Sequence, residues 1–389
     1  MRLLHGSKSS EVDLPPGQAP TIVVLYLPLG GGHKSAAEAI SDALRRAEPQ
    51  LRVQVVDLAS ALFPLLKLSS AVSAVYALLI RLLGGRLHLA IYRFADRRPE
   101  ALVKALDMVF GRELLRFISG RRPVAVVSTF SVVSALVAEN LATTDIPVVS
   151  IVTDAGRVNR IWTVGSPTRI LTADFKTEQL WRASGTAVSN CKFVGPVVHQ
   201  KFIDAPSRSL AKRMLGLDID RFTILLNMGL LPPRHRIRRF ISELSSMGST
   251  IQVLVREDAR LNGVDDEIVV RKSSSDLQLV GLAAADVVVG KAGWMTLNEA
   301  VVVGRGVIIV DAIPGQEEQN VDYCVRARGA VALGPAGAAR MVSNMAAGDQ
   351  EESVLLCWSD EAVSAASSGA TLAALEVIGL IEERRSCRG

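Results

Sequence analysis

Short apolar runs recur along the chain, each closing in a turn that holds glycine, proline or a small polar residue, with a helical pattern after most turns. Thr21–Leu27, Val124–Ser128, Ile170–Ala173, Phe222–Asn227, Ile251–Val255, Val287–Val289 and Val307–Val310 read in this way as buried strands. Strands alternating with helices build parallel α/β sheets. At 389 residues the chain suits two domains of roughly 150–200 residues each. Ligands of such sheets bind beyond the carboxyl ends of the strands. The loops GKAGWMT (290–296) and PGQEEQN (314–320) follow neighbouring strands, so they fall on one edge and can face one ligand.

The first of these loops suits a phosphate. Gly290 and Gly293 let the backbone approach an anion, the next helix offers free N–H groups, and Lys291 adds a charge. Thr296 and Glu299 have the spacing of a capping box, so Glu299 reads equally as a cap and as a ligand-binding carboxylate. Gln316, Glu317, Glu318 and Asn320 start the next helix and could grip sugar hydroxyls or simply cap it. A third turn, PLGGGHKSAAEAISDAL, follows Thr21–Leu27. It is no P-loop, because His33 rather than glycine precedes Lys34, and Ser35 is a plausible helix cap. A histidine at a helix start is held neutral and can accept a proton, as a general base must.

Composition narrows the function classes. Hydrophobic residues make up 49% of the chain, enough for a sizeable core, and the formal charge of +5 favours anionic surfaces or substrates. Basic and aromatic residues are not interleaved, which argues against nucleic-acid binding. Cys191, Cys324, Cys357 and Cys387 lie far apart and, like the five scattered histidines, form no metal-ligand spacing. A reducing compartment is expected. Residues 1–19 lack the apolar core of a signal peptide and read as a loose tail. From Leu58 to Pro99 the chain is oily and basic, with Lys67, Arg81, Arg86, Arg93, Arg97 and Arg98 against the single acid Asp96. Its uninterrupted apolar runs fall short of the roughly 18–20 residues of a spanning helix. It reads as an interfacial amphipathic segment or as helices covering the sheet.

Together the loops resemble the donor-binding half of the nucleotide-sugar glycosyltransferases that include MurG. The nearer likeness is to the monogalactosyldiacylglycerol synthases and processive diacylglycerol glucosyltransferases. Their first motif is K-P-G-G-x-T-x-x-E-A and their second P-G-Q-E-x-x-N; Lys291, Gly293, Thr296, Glu299 and Ala300 match the one, Pro314 to Glu317 and Asn320 the other. Gly-Gly-Gly-His-x-Ser-Ala-Ala-Glu-Ala is nearly the opening of the same family, in which the residue matching His33 is a candidate base near the acceptor. Thr153, Asp154 and Trp162 match its strand ending in Thr-Asp with a downstream Trp, although a His common between them is replaced, with Asn159 nearby. Asp154 is a second candidate base or base-orienter, or an Asp closing a strand turn. Gly195-Pro196-Val197 resembles the exit from the first domain. The chain departs after Asn227, where NMGLLPPRHRIRR replaces a Gly-rich loop, and after Val255, where REDARL replaces a Gly-Lys/Arg-Asn run.

The resemblance implies a GT-B architecture, with two Rossmann-like domains facing across a cleft and a C-terminal helix crossing back. Residues 20–196 would bind the acceptor, 197–220 link, 221–350 bind the nucleotide sugar, and 351–389 form the terminal helical segment. It also implies inverting transfer of glucose or galactose from a UDP-sugar to a lipid such as diacylglycerol. His33 and Asp154 would be catalytic. Gly32, Lys291, Gly293, Trp294, Met295 and Thr296 would hold the donor's diphosphate region, Glu299 its ribose, and Gln316, Glu317 and Asn320 its sugar. No cofactor or metal is expected. The enzyme would sit on the anionic inner face of the plasma membrane. Rival readings are transfer to a small-molecule or isoprenoid product, sugar-nucleotide epimerisation, and a membrane-surface protein without donor binding.

Overall fold

A computed structural model describes residues 19–29, 31–62, 89–186, 189–228, 234–247, 251–256, 269–273, 277–351 and 356–387. The loops on which the sequence departs from the family pattern (229–233 and 257–268), the N-terminal tail and residues 63–88 of the oily basic segment lie outside these.

Two six-stranded sheets organise the chain. The first contains β1 (Thr21–Tyr26), β2 (Arg52–Asp57), β3 (Ala125–Ser128), β4 (Val148–Ile151), β5 (Arg169–Thr172) and β6 (Cys191–Phe193), in the order β2-β1-β3-β4-β5-β6. The second contains β7 (Phe222–Asn227), β8 (Ile251–Arg256), β9 (Val269–Ser273), β10 (Val287–Lys291), β11 (Gly306–Asp311) and β12 (Ala330–Ala332), in the order β12-β11-β10-β7-β8-β9. Every recorded pairing is parallel. Parallel sheets are covered on both faces, which is why these strands read as continuous apolar runs. Both sheets reverse strand order at one point, between β1 and β3 and between β7 and β10. That switch opens a crevice beyond the strand ends, where ligands of such sheets bind.

Seven helices matter for the site: α1 (Gly32–Ala47), α2 (residues 89–97), α3 (Pro99–Ser119), α4 (Leu277–Ala284), α5 (Trp294–Val303), α6 (Glu318–Arg326) and α7 (Asp360–Ser386). α7 crosses back as expected. Its Ala362 and Ala366 belong to the core of the second sheet, whereas Ala370, Ala373, Val377 and Ile381 pack with Ile40, Ala43 and Leu44 of α1 in the core of the first. The crossing is tight: a Cβ on Gly195 would lie 2.5 Å from the Ala365 carbonyl, and one on Gly369 only 2.1 Å from that of Pro196. By length and composition α7 could span a membrane, yet the residues just named are buried inside this fold.

The stretch 197–220 is more than a linker. It carries the helices Gln200–Ile203 and Arg208–Met214, and Val198, Phe202, Ala211 and Leu217 join the second core. Between the two sheets, Ala36, Ala155 and Ala173 meet Trp294 and Met295 in a small apolar cluster.

Candidate active site

The crevice of the first sheet is filled by His33. β1 runs into the glycine turn, Gly31 is the N-cap of α1 without any side-chain cap, and His33 stands in the first helical turn. Its Nδ1 lies 2.8 Å from the carbonyl oxygen of Thr129, just beyond β3. A carbonyl can only accept, so Nδ1 carries the hydrogen and Nε2 keeps its lone pair. Thr153 Oγ1 sits 3.2 Å from the same nitrogen. Phe130 makes an edge contact with the imidazole at 4.7 Å, and the Thr129 hydroxyl donates back to the His33 carbonyl at 2.9 Å. Burial, aided by the Lys291 charge, pushes His33 down to about 4, against the pull of the Thr129 bond. The imidazole is therefore neutral at physiological pH.

Asp154 does not orient this histidine. Among the described residues its carboxylate accepts from the Asn320 amide at 3.1 Å and the Gln316 amide at 3.4 Å, both from the other domain. Burial pushes Asp154 up to about 7, opposed mainly by the Asn320 bond. Asn320 is fully buried; it also donates to the Ala292 carbonyl at 3.1 Å and accepts from the Ala155 N–H at 2.9 Å. Its amide thus braces the two domains. Asn159, which stands near the missing family histidine, caps the short helix Arg160–Thr163 and donates to the Tyr92 carbonyl.

The second crevice is built by β10 and α5. Gly290 is required where it stands, since a Cβ would lie 2.3 Å from the Asn227 carbonyl on β7. Gly293 is the N-cap of α5, and the first helical bond runs from Leu297 N–H to the Gly293 carbonyl at 3.0 Å. The N–H groups of Trp294, Met295 and Thr296 precede it, so they and the positive helix end face the cleft. The side chains of Trp294 and Met295 are buried between the domains, with Trp294 edge-on to Tyr323 at 4.9 Å. Gly32 faces the same turn from the first domain: a Cβ there would lie 3.3 Å from Met295 Cγ. Lys291 is ion-paired with Glu317, whose other oxygen accepts the Ile313 N–H at 2.9 Å.

Thr296 and Glu299 do not form a capping box. The box needs the hydroxyl residue at the N-cap, and Gly293 holds that position. Thr296 Oγ1 instead faces the Asn227 amide at 3.3 Å. Glu299, 2% exposed, accepts from Ser35 Oγ at 2.9 Å and from Gln278 Nε2 at 2.7 Å. Ser35 therefore reaches across the cleft rather than capping α1. Burial pushes Glu299 up to about 7, against the Gln278 and Ser35 bonds.

His33, Asp154, Lys291, Gly293, Thr296 and Glu299 line one cleft of about 320 Å³, together with Gln316 and Glu317. Sequence reasoning missed the Thr129 carbonyl, a backbone atom without a signature, and Gln278, which lies in an ordinary apolar helix. Asn227 was visible only as the end of a strand.

Residues 33–198 match the family described as monogalactosyldiacylglycerol (MGDG) synthase. A processive diacylglycerol beta-glucosyltransferase of Staphylococcus aureus (strain JH9) is 23% identical over 268 residues, spanning 66% of this chain and 68% of the relative. Among solved structures, Arabidopsis thaliana UGT89C1 superposes with a TM-score of 0.61 at 14% identity, over 94% of this chain and 100% of that one. MurG of Acinetobacter baumannii superposes with a TM-score of 0.56 at 13% identity, over 94% and 99%. The resemblance carried by the loops thus extends along the chain, which is similar in sequence to the diacylglycerol glycosyltransferases and has the GT-B fold of the MurG-like glycosyltransferases.

Proposed function

We propose that this protein transfers a hexose, glucose or galactose, from a UDP-sugar to the hydroxyl of a lipid such as diacylglycerol, with inversion. One observation carries the reading: a neutral imidazole whose Nε2 has no hydrogen-bond partner among the described residues faces, across one cleft, a helix start flanked by a lysine. The acceptor O–H gives its proton to His33 Nε2 while its oxygen bonds to the sugar's anomeric carbon. The bond from that carbon to the diphosphate breaks, and its electron pair leaves with UDP. The N–H groups of Trp294 to Thr296 and the Lys291 ammonium meet the charge that develops there. Glu299 takes the ribose hydroxyls once Ser35 yields, and Gln316 and Glu317 face the sugar. Asp154 and Asn320 hold the two domains in register behind it.

Relatives support the donor and the acceptor. UGT89C1 has been solved with UDP and with UDP-L-rhamnose, and the bacterial relatives are named for diacylglycerol. A membrane site fits the exposed surface of α2 and α3. α2 exposes Ile91 and Phe94 among Arg93, Arg97 and Arg98, and α3 exposes Met108 and Val109 with Lys104 and Arg112. Apolar side chains ringed by arginine suit an anionic inner leaflet.

Radiolabelled UDP-glucose and UDP-galactose offered with diacylglycerol in anionic vesicles test the reading. A β-linked glycolipid is expected. Transfer only to soluble aglycones, or conversion of UDP-N-acetylglucosamine without any acceptor, would replace it.

A further inference from the structure

Glu299 is asked to do two things that conflict. To accept two ribose hydroxyls its carboxylate must be ionised, yet it is buried at 2% exposure, where charge is disfavoured. Two neutral donors relieve it. Ser35 comes from the facing domain, and its hydroxyl stands where an incoming hydroxyl would bind. Gln278 belongs to the same domain as Glu299 and stays when the cleft fills.

Ionised Glu299 Oε2, 2.7 Å away, can only accept, so with the carboxylate charged the Gln278 NH₂ group faces it. Gln278 Oε1 then faces the Asn227 NH₂ at 3.5 Å, and Gln278 Nε2 also approaches Thr296 Oγ1 at 3.5 Å. The amide is thus anchored from β7 and α5 while it points at the carboxylate. Charged and titratable groups around Glu299 are Lys201 from the helix Gln200–Ile203, with Lys34 and Glu38 of α1 and His33, Asp154, Lys291 and Glu317 along the same cleft. Lys201 also pulls Glu299 downward, less than either hydrogen bond does.

We propose that Gln278 is the positioning residue of the donor site, aiming the Glu299 carboxylate at the ribose hydroxyls and holding it ionised. This rests on the donor-site reading given above. Gln278 acts through Glu299 and touches no reacting atom.

UDP affinity measured across pH on the full-length protein tests it. The Glu299→Gln variant, titrated in parallel, supplies the pH dependence that belongs to UDP and to Asp154, which titrates at about 7 in the same cleft. In the wild type the remaining dependence is a rise in affinity as pH climbs through about 7, where Glu299 ionises. Gln278→Met keeps the length and removes the donor. Its affinity should fall about tenfold at neutral pH, as for one charge-assisted hydrogen bond, and its rise should move to higher pH. Gln278→Glu should reverse the sign. Paired carboxylates share a proton at low pH and repel at high pH, so affinity should fall as pH rises. A Met variant whose profile sits where the wild type's does, or a Glu variant whose affinity still rises, overturns the proposal. Should the Met variant not fold, the sign seen with the Glu variant decides alone. A wild type that binds no UDP at any pH overturns the donor-site reading itself.

Discussion

The turn after β1 and the turn after β10 use the same backbone device for opposite ends. Each is a glycine turn from a parallel strand into a helix, and each sits where its sheet reverses strand order. They face each other closely enough that a Cβ on Gly32 would press on Met295. The neighbouring strand end makes the difference. Beyond β3 it supplies the Thr129 carbonyl, which fixes the His33 tautomer and leaves a lone pair toward the cleft. Beyond β11 it supplies Glu317, which steadies Lys291 beside a bare helix start. His33 is held within its own domain. The loops after β10 and β11 are instead tied to the opposite domain through Ser35–Glu299 and Asp154–Asn320, so on the proposed reading donor binding and domain contact are one event.

If that division of labour holds, the two turns break separately. His33→Ala should have the largest effect, lowering kcat by about 10²–10⁴-fold, as for loss of a general base. Its UDP affinity, read by calorimetry, should not change. Loss of both together would mean that the turns are not separable. Glu299→Ala comes next. Removing the buried carboxylate proposed to bind the ribose hydroxyls should weaken UDP binding by roughly 10–100-fold while transfer at saturating donor is largely retained.

The seam between the domains can be opened from behind. Gly369→Val puts a side chain where the Pro196 carbonyl lies 2.1 Å from an ideal Cβ. It should cost on the order of 1–3 kcal/mol of stability, seen as a lower melting temperature.

The smallest effect is expected in the pH dependence of melting, because His33 opposes the two buried carboxylates Asp154 and Glu299. Asp154 titrates at about 7 in the fold, above its unfolded value near 3.9. Its contribution is fully present below about pH 4 and is lost as pH rises through 7. His33 is depressed to about 4 from its unfolded value near 6.5. Its contribution is present above about 6.5 and is lost as pH falls through 4. Glu299, also raised to about 7, acts in the same direction as Asp154. Asp154→Asn therefore removes one of the two terms that oppose His33, and the melting temperature should rise from pH 4 to 6.5 relative to that of the wild type. A slope that does not change would remove Asp154 from the account of the seam.

Much of this was legible in the sequence, for reasons that differ by residue. Short valine-rich runs closed by glycine mark parallel strands because those strands are covered on both faces, so β1, β7, β10 and β11 fall where the pattern puts them. The spacing of Lys291, Gly293, Thr296 and Glu299 locates a helix start. It could not separate a cap from a ligand-binding role, because that depends on which residue is the N-cap. Gln316 and Asn320 were legible as polar groups on the correct edge, yet their partner Asp154 lies 162 and 166 residues away, and a tertiary contact leaves no local period. Gln278 pairs with Glu299 from 21 residues upstream, out of an apolar helix whose pattern says only that it is buried. The stretch 197–220 looked polar enough for a linker, but Phe202 and Leu217 anchor it in the second core.

The most direct test of the account is a crystal structure of the protein with UDP. The account predicts the diphosphate against the N–H groups of Trp294, Met295 and Thr296, and the ribose on Glu299. Ser35 should be displaced, Gln278 still in place, and His33 Nε2 open to the acceptor side. UDP bound away from Gly293, or bound with the Ser35–Glu299 contact intact, would contradict it.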